Sequence, residues 1–249
     1  MNDWPRPLVL AHRGASAHAP ENTLAAFELA LTQGAYGIEL DVKLSADGEV
    51  IVIHDPSVER TTNGQGKVAQ LNLAALRELD AGSFFSEKFS GEKIPTLAEV
   101  FETIGNRVII NVELTNYATR RDGLADNVCE LVQRFGLQDS VLFSSFLPSN
   151  LKRTRSLLPD TPCGLLALGG WKGWWSRSFG FNFNDYQALH PSLRDTTAQQ
   201  VARVHRLKRR ILVWTVNSAE DMRRLFGWGV DGIITDDPKL AMDVLSETT

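Results

Sequence analysis

The sequence predicts an α/β protein with the TIM (β/α)8 barrel architecture and one small insertion. Its 249 residues are close to the roughly 250 that a single barrel of this type needs. Short apolar runs alternate along the chain with longer amphipathic stretches, a pattern typical of parallel β/α units. A dipeptide typical of tight turns indicates that one surplus strand is the second arm of a hairpin. We therefore expect residues 1–249 to form one barrel domain, with the insertion at about 56–95.

Nine apolar runs have the length and composition of strands. They span residues 8–12, 36–42, 50–54, 108–114, 141–144, 164–168, 188–190, 211–215 and 232–235. Helices are expected at 22–34, 96–105, 123–136, 148–157, 196–208, 219–228 and 238–246. Residues that favour helix starts stand where several of these begin: Asn22 or Thr23, Pro148, and Asp237-Pro238.

Nine strands are one too many for an eightfold barrel, and Asp47-Gly48 explains the surplus. This dipeptide predicts a two-residue hairpin turn, which would place Asp41 opposite His54. Residues 50–54 then become the return arm of a hairpin, and eight barrel strands remain. The register is a sharp prediction, because a slip of one residue moves every side chain to the other face.

Two segments do not fit the simple alternation. Residues 56–95 contain a turn-rich stretch at 61–66 and a short helix near 72–79, and we interpret them as the insertion. Residues 169–185 are rich in aromatic side chains, including Trp171, Trp174 and Phe183. The aromatic segment is compatible with a lid, with a leaving-group pocket, with a lipid or partner contact, or with a loop packed on itself.

Acidic residues stand at the ends of two predicted strands, where barrel proteins place their functional side chains. Glu39 and Asp41 are two residues apart and share one face of a strand. Glu113 ends the strand predicted to lie beside it. Buried carboxylates repel each other unless a cation joins them, and oxygen ligands favour a hard divalent ion. We expect a site for Mg²⁺, Ca²⁺ or Mn²⁺.

Two histidines, His12 and His54, fall at strand ends near this acidic cluster. Histidine is suited to proton transfer near neutral pH, so the pair is expected to act as acid and base. Arg13 offers a fork of donors for phosphate or carboxylate oxygens. Trp214 ends another strand and either forms an apolar wall for the substrate or simply packs. His190 is a weaker candidate, and no role is assigned to the remaining histidines.

Composition and charge narrow the function classes. The net charge of −4 disfavours a general nucleic-acid-binding protein, which usually carries a basic excess. The sequence contains no run of 18 apolar residues and no apolar stretch near Met1. We therefore expect neither membrane insertion nor a signal peptide. Cys129 and Cys163 lie in apolar segments and are expected as buried thiols. Together these features predict a cytoplasmic protein.

The chain resembles the glycerophosphodiester phosphodiesterases, in a series of motifs that follow in order along nearly its whole length. The motifs are His12-Arg13-Gly14, Glu21-Asn22-Thr23, Glu39-Leu40-Asp41-Val42, Asp47-Gly48, His54-Asp55, Thr61-Thr62-Asn63-Gly64, Pro95-Thr96-Leu97, Asn111-Val112-Glu113-Leu114, Ser144-Ser145-Phe146, Trp214-Thr215-Val216-Asn217 and Thr235-Asp236-Asp237-Pro238. The length and the missing signal are most similar to the bacterial cytoplasmic members.

The resemblance implies a TIM barrel with a divalent cation held by Glu39, Asp41 and Glu113. It also implies that His12 and His54 act as acid and base and that Arg13 binds the phosphate. The sequence departs from the family at one position. Family members often carry Glu-x-Lys after the third barrel strand, whereas this chain has Glu113-Leu114-Thr115, so the positive charge of the lysine is missing there.

The expected activity is hydrolysis of small-molecule glycerophosphodiesters to sn-glycerol 3-phosphate and an alcohol. Both water and the substrate's own 2-hydroxyl are possible nucleophiles, the second giving a cyclic phosphate first. One alternative is a lysophospholipase D-type phosphodiesterase, suggested by the aromatic segment. Another is a catalytically weak barrel that only binds phosphoesters, for which Thr115 is the sole support.

Overall fold

The computed structural model describes residue 1 and residues 4–248, and its centre is a closed barrel of eight parallel strands. The strands are β1 (Leu8–His12), β2 (Gly37–Leu44), β4 (Ile109–Leu114), β5 (Val141–Ser145), β6 (Cys163–Ala167), β7 (Ala188–Pro191), β8 (Arg210–Val213) and β9 (Gly232–Thr235), with β3 (Val50–Val52) antiparallel to β2 outside the ring. Closure comes from β1, which pairs in parallel with both β2 and β9. The predicted fold class is confirmed.

Helices surround this barrel. They are α1 (Leu24–Thr32), α2 (Leu73–Glu78), α3 (Leu97–Ile104), α4 (Leu124–Phe135), α5 (Pro148–Leu157), α6 (Ala198–Arg206), α7 (Ala219–Gly227) and α8 (Pro238–Thr248). Thr23, one of the two predicted caps, begins α1 by accepting a hydrogen bond from Ala26 N. Pro148 occupies the first turn of α5, where its missing N–H costs nothing. None of the described helices is long and apolar enough to cross a membrane.

Apolar side chains fill the lower part of the barrel interior. Leu10, Leu142 and Leu212 come from β1, β5 and β8, and they pack in one buried cluster. Because these strands lie on different sides of the ring, the cluster must lie inside it. Side chains of the opposite parity, such as Val9 and Phe143, pack outward in the larger core under the helices. The polar residues at the strand ends therefore lie at the upper rim of the barrel.

The hairpin between β2 and β3 exists, but its predicted register is wrong by one residue. Val42 pairs with Val52, and Ile53 N donates to Asp41 O, so Asp41 lies opposite Ile53 rather than His54. The connection has three residues, since Ser45 N donates to Glu49 O across it. A three-residue hairpin ends on a left-handed residue, and Gly48 has φ +85°.

Between β3 and α3 the chain forms the segment expected as an insertion, at residues 56–95. It contains α2 and two short 3-10 turns. Val58, Val68 and Leu76 belong to a small apolar cluster that this segment shares with Ile51 and Ile53 of the hairpin. The segment is therefore packed onto the hairpin, beside the upper rim of the barrel.

The aromatic segment at 169–185 is a helical excursion between β6 and β7, with a π-helical turn at Ser176–Gly180. Most of its rings face solvent, and Trp171 and Phe183 are 84% and 80% exposed. Phe181 is the buried exception, and the Arg209 guanidinium lies over its ring. The aromatic segment is also held through Asp195, which accepts from Gly170 N and pairs with Arg177, while its exposed rings present an apolar surface.

Candidate active site

Three carboxylates converge at the upper rim of the barrel. Asp41 of β2 and Glu113 of β4 are direct partners in the parallel register, and Glu39 lies one step below Asp41 on the same face. Ligand oxygens of the three side chains all lie within 4.8 Å of one another. The structure therefore brings together the three acidic residues that the sequence nominated for a metal.

Burial makes this acidic cluster electrostatically costly without a cation. It raises the pKa of Glu113 to about 8, with Asp41 adding repulsion. Burial and the same repulsion also raise the pKa of Glu39. Within the described residues the buried Oε1 of Glu39 has no hydrogen-bond partner. A set of carboxylate oxygens with an unpartnered buried atom fits a hard divalent cation, which would stabilise the ionised acids.

His12 is held by an acid from the far end of the chain. Its Nδ1 lies 2.6 Å from Asp236 Oδ1. Burial raises the pKa of Asp236, but hydrogen bonds from His12, Asn217 and Ser16 outweigh it and the net pKa is lowered. Because the ionised carboxylate only accepts hydrogen bonds, the Nδ1 atom of His12 carries a proton. Nε2 points the other way, 4.0 Å from Glu39 Oε2, and is free for proton transfer.

His54, like His12, has its Nδ1 atom held by a carboxylate. Its Nδ1 lies 2.6 Å from Oδ1 of Asp55, the next residue. Hydrogen bonds from Arg60 and His54 lower the pKa of Asp55 to about 2, so this acid is ionised at neutral pH. Since β3 ends at Val52, strand pairing does not hold His54 in place. Its position depends on Asp55 and Arg60.

Arg13 lies between the acidic cluster and His54. Its guanidinium contacts Glu21 at 2.9 Å and Asp41 at 3.3 Å. Glu21 in turn pairs with Arg60 at 2.7 Å, which connects Arg13 to the group that holds Asp55. Burial lowers the pKa of Arg13, but Asp41, Glu21 and Glu39 outweigh it and the net pKa is raised. Arg13 is therefore a permanent cation at this rim.

A cleft of about 380 Å³ opens beside His12 and Arg13. It is lined by His12, Arg13, Ser16, Ala17, Glu21, Asn217, Asp236 and Asp237. This volume suits a small organic molecule, and the lining is polar. The cleft therefore fits a small, charged ligand with the imidazole of one histidine exposed to it.

Trp214 belongs to an aromatic row next to the acidic cluster. Its ring packs edge to face against Phe146 at 5.7 Å, and Phe146 packs against Tyr117 at 5.8 Å. Tyr117 donates its hydroxyl to Glu113 Oε1 at 2.6 Å. The Trp214 indole N–H donates to His190 O, which fixes the ring. The row forms an apolar wall that ends on one of the carboxylates.

Comparison with known proteins agrees with this geometry. A model of the Glycerophosphoryl diester phosphodiesterase family matches residues 12–240. The chain belongs to this family. A glycerophosphodiester phosphodiesterase of Caldanaerobacter subterraneus subsp. tengcongensis is 39% identical to this family member, over 96% of this chain and 98% of the relative.

Two solved structures resemble this family member closely. A phosphodiesterase from Oleispira antarctica, in complex with the product sn-glycerol-3-phosphate, has a TM-score of 0.88 and 32% identity over 97% of each chain. A family protein from Silicibacter pomeroyi has a TM-score of 0.87 and 28% identity, over 98% of this chain and 95% of that one.

Sequence reasoning about this phosphodiesterase missed the acids that hold the two histidines. Asp236 and Asp55 stand in the motifs of the family resemblance, but the sequence predicts no role for either of them. Glu21 and Arg60, which link Arg13 to His54, were also missed. The one available signal was position, because Asp236 directly follows β9 and closure of the barrel brings β9 beside β1.

The remaining histidines of the phosphodiesterase differ from His12 and His54 in their surroundings. His205 pairs with Asp231 at 2.8 Å, and His18 lies 3.2 Å from Asp237. His190 is fully buried, and neither ring nitrogen has a hydrogen-bond partner within residues 4–248. Burial lowers its pKa to about 3, so the ring is neutral. His190 reaches the site only through the carbonyl that anchors Trp214.

Proposed function

We propose that this chain hydrolyses glycerophosphodiesters to sn-glycerol 3-phosphate and an alcohol, with His12 and His54 as the acid–base pair. The observation that carries the proposal is the paired arrangement of the histidines. Each has its Nδ1 fixed by a carboxylate at 2.6 Å, on either side of the acidic cluster. Fixing one ring nitrogen leaves the other oriented for proton transfer, as hydrolytic catalysis requires. The product seen with the Oleispira antarctica relative is sn-glycerol-3-phosphate.

Glu39, Asp41 and Glu113 are the residues that would hold the divalent cation. Bound there, Mg²⁺, Ca²⁺ or Mn²⁺ would supply Lewis-acid polarisation of phosphoryl oxygens. The protein contributes the other charge, because the Arg13 guanidinium lies at the same rim, 3.3 Å from Asp41. Arg13 adds its own positive charge against the negative charge that grows on the phosphoryl group during the reaction.

The two imidazoles divide the proton transfers. The Nε2 atom of one ring accepts the proton of the attacking hydroxyl, which belongs to water or to the 2-hydroxyl of the glycerol. The other ring donates a proton to the oxygen of the departing alcohol as its bond to phosphorus breaks. Attack by the 2-hydroxyl gives a cyclic phosphate, which water then opens to sn-glycerol 3-phosphate. Each transfer of this kind contributes roughly 10²–10⁴-fold to the rate.

The direct test is release of glycerol 3-phosphate from glycerophosphocholine, in a coupled assay after chelation and readdition of single divalent ions. His12→Asn and His54→Asn should each lower kcat by about 10²-fold or more. His205→Asn is the matched control, since that histidine pairs with Asp231 at the other end of the barrel, and it should keep wild-type activity. Absence of product from glycerophosphodiesters with every divalent ion would refute the proposal and leave a phosphoester-binding barrel.

A lysophospholipase D-type activity is the second candidate, favoured by the aromatic segment. Trp171, Trp174, Trp175, Phe179 and Phe183 are all more than half exposed. An acyl chain laid against them would be removed from water, at about 25 cal/mol per Å² of apolar surface. A kcat/KM for lysophosphatidylcholine above that for glycerophosphocholine, lost on Trp171→Ala, would support this candidate. A preference for glycerophosphocholine would exclude it.

We also propose a cytoplasmic location for the enzyme. Cys129 and Cys163 are both free and buried. Burial raises the pKa of their thiols to about 12 and about 11, which keeps both protonated. Free thiols without a structural disulfide suit a reducing compartment.

A further inference from the structure

Lys43 occupies the rim of the barrel just above the acidic cluster. It follows Asp41 by two residues on β2, so the two side chains leave the same face of the strand. The register pairs Asp41 with Glu113 and Val42 with Leu114, and its continuation brings Lys43 beside Thr115. This is the position at which the chain lacks the lysine of the Glu-x-Lys pattern.

The contacts of Lys43 show that Thr115 holds its ammonium group. Nζ donates to the carbonyl oxygen of Thr115 at 2.8 Å and to Oγ1 at 2.7 Å. The Thr115 hydroxyl donates its hydrogen to Val42 O at 2.8 Å, so a lone pair of Oγ1 faces the ammonium. An ammonium has three N–H donors, and these contacts use two of them.

The charge of Lys43 is unpaired, unlike that of Arg13. Lys43 forms no ion pair in the described part of the chain, and both of its hydrogen-bond acceptors are neutral oxygens. Arg13 is already in contact with Glu21 and Asp41. The site thus contains a second cation with a free donor.

We propose that Lys43 binds the phosphoryl group of the substrate, supplying from β2 the positive charge that Thr115 does not supply from β4. The inference rests on the proposed function, because that function places a phosphodiester above the acidic cluster. Thr115 is then a positioning residue, since its two oxygens hold the ammonium at the rim. The third N–H of Lys43 is available to a phosphoryl oxygen without breaking either contact.

Binding and kinetics of the full chain with Mg²⁺ test this inference. Lys43→Met keeps the length of the side chain and removes the charge. A hydrogen bond to a charged group is worth roughly a factor of 10–100. Lys43→Met should therefore weaken binding of sn-glycerol 3-phosphate, measured by calorimetry, by about that factor. The kcat/KM for glycerophosphocholine should fall similarly, while Lys67→Met, an exposed lysine of the insertion, should match wild type.

The second part of the test places a positive charge at residue 115. Thr115→Lys in the Lys43→Met background should restore part of the lost sn-glycerol 3-phosphate affinity, because the new ammonium starts from the neighbouring strand. Unchanged affinity of Lys43→Met for sn-glycerol 3-phosphate would overturn the inference, whatever the catalytic rate of the variant. Loss of affinity that neither Thr115→Lys nor the charge-retaining Lys43→Arg rescues would also overturn it, since that pattern marks a structural role. A wild-type enzyme that binds sn-glycerol 3-phosphate but releases none from diesters would refute the proposed function and not this inference.

Discussion

Replacing Asp236 with asparagine tests whether an oriented His12 is required for turnover. Two of the donors to this carboxylate contact different oxygens, because Oδ1 lies 2.6 Å from His12 Nδ1 and Oδ2 accepts from Asn217 Nδ2 at 2.5 Å. An amide offers one acceptor oxygen and one NH₂ group. The asparagine of the variant could therefore satisfy only one of these partners and would present a donor to the other.

The size of the effect follows from this mismatch. Loss of a hydrogen bond to a charged acceptor costs about 1.5–3 kcal/mol, or roughly 10–150-fold in rate. If the new NH₂ group faces Nδ1, it also forces the proton of His12 onto Nε2, the wrong tautomer for a base. The same exchange in the Ser-His-Asp triad lowers kcat about 10⁴-fold. We expect Asp236→Asn to lower kcat between about 10²- and 10⁴-fold, with little change in KM.

The measurement is the coupled glycerol 3-phosphate assay, with kcat and KM determined separately and thermal melting recorded as a check on folding. Ser16→Ala is the comparison variant, since Ser16 Oγ donates to the same Oδ1 at 3.2 Å but does not contact the ring. It should lose less than about tenfold, because the hydroxyl also donates to His12 O at the shorter distance of 2.8 Å and its loss leaves the contact between His12 and Asp236 in place. A folded Asp236→Asn enzyme with kcat within about threefold of wild type would refute the argument.

Three further predictions concern the cation, the insertion and the barrel interior. A divalent cation at about 100 times its Kd should stabilise the fold by about 2.7 kcal/mol and raise Tm by roughly 5–10 °C. The Asp41→Asn variant should show no such rise in Tm. An unchanged wild-type Tm would contradict cation binding. Arg60→Gln should raise the pKa of Asp55 from about 2 towards its ordinary value, as measured by NMR titration. The stabilisation from this pair is present above about pH 4 and lost as the pH falls towards 2, so a wild-type advantage over Arg60→Gln that persists at pH 2 would argue against it. Because burial lowers the pKa of His190 to about 3, the unfolded chain binds more protons between that pH and about 6.5. Stability should therefore fall with decreasing pH by up to about 1.4 kcal/mol per unit, a dependence that denaturant titrations of His190→Leu should show reduced.

The sequence predicted the fold because its strongest signals are local. Apolar runs, helix caps such as Thr23 and the turn at Asp47-Gly48 each depend on a few neighbouring residues. The hairpin register depends on a smaller difference, between a two-residue and a three-residue connection. Ser45 decides this, since its hydroxyl accepts from Glu49 N and donates to Asp47 Oδ1. Such side-chain contacts lie beyond what the Asp-Gly signal specifies.

The candidate site was predicted in its residue types but not in its pairings. Glu39 and Asp41 are neighbours on one strand, so their convergence follows from the period of a strand. His12 and Asp236 are 224 positions apart, and closure of the barrel alone brings them together. The contact of Lys43 with Thr115 could not be predicted for a similar reason, because Thr115 follows another strand, β4.

The insertion contributes to the site through Arg60. Arg60 contacts Asp55 at 2.6 Å and Glu21 at 2.7 Å, and it is the group that joins them. Because His54 lies beyond the end of β3, the insertion replaces strand pairing as the support for this histidine. Damage to the insertion that spares the barrel should therefore act on His54 and leave the convergence of Asp41 and Glu113, which depends on the pairing of β2 with β4, intact.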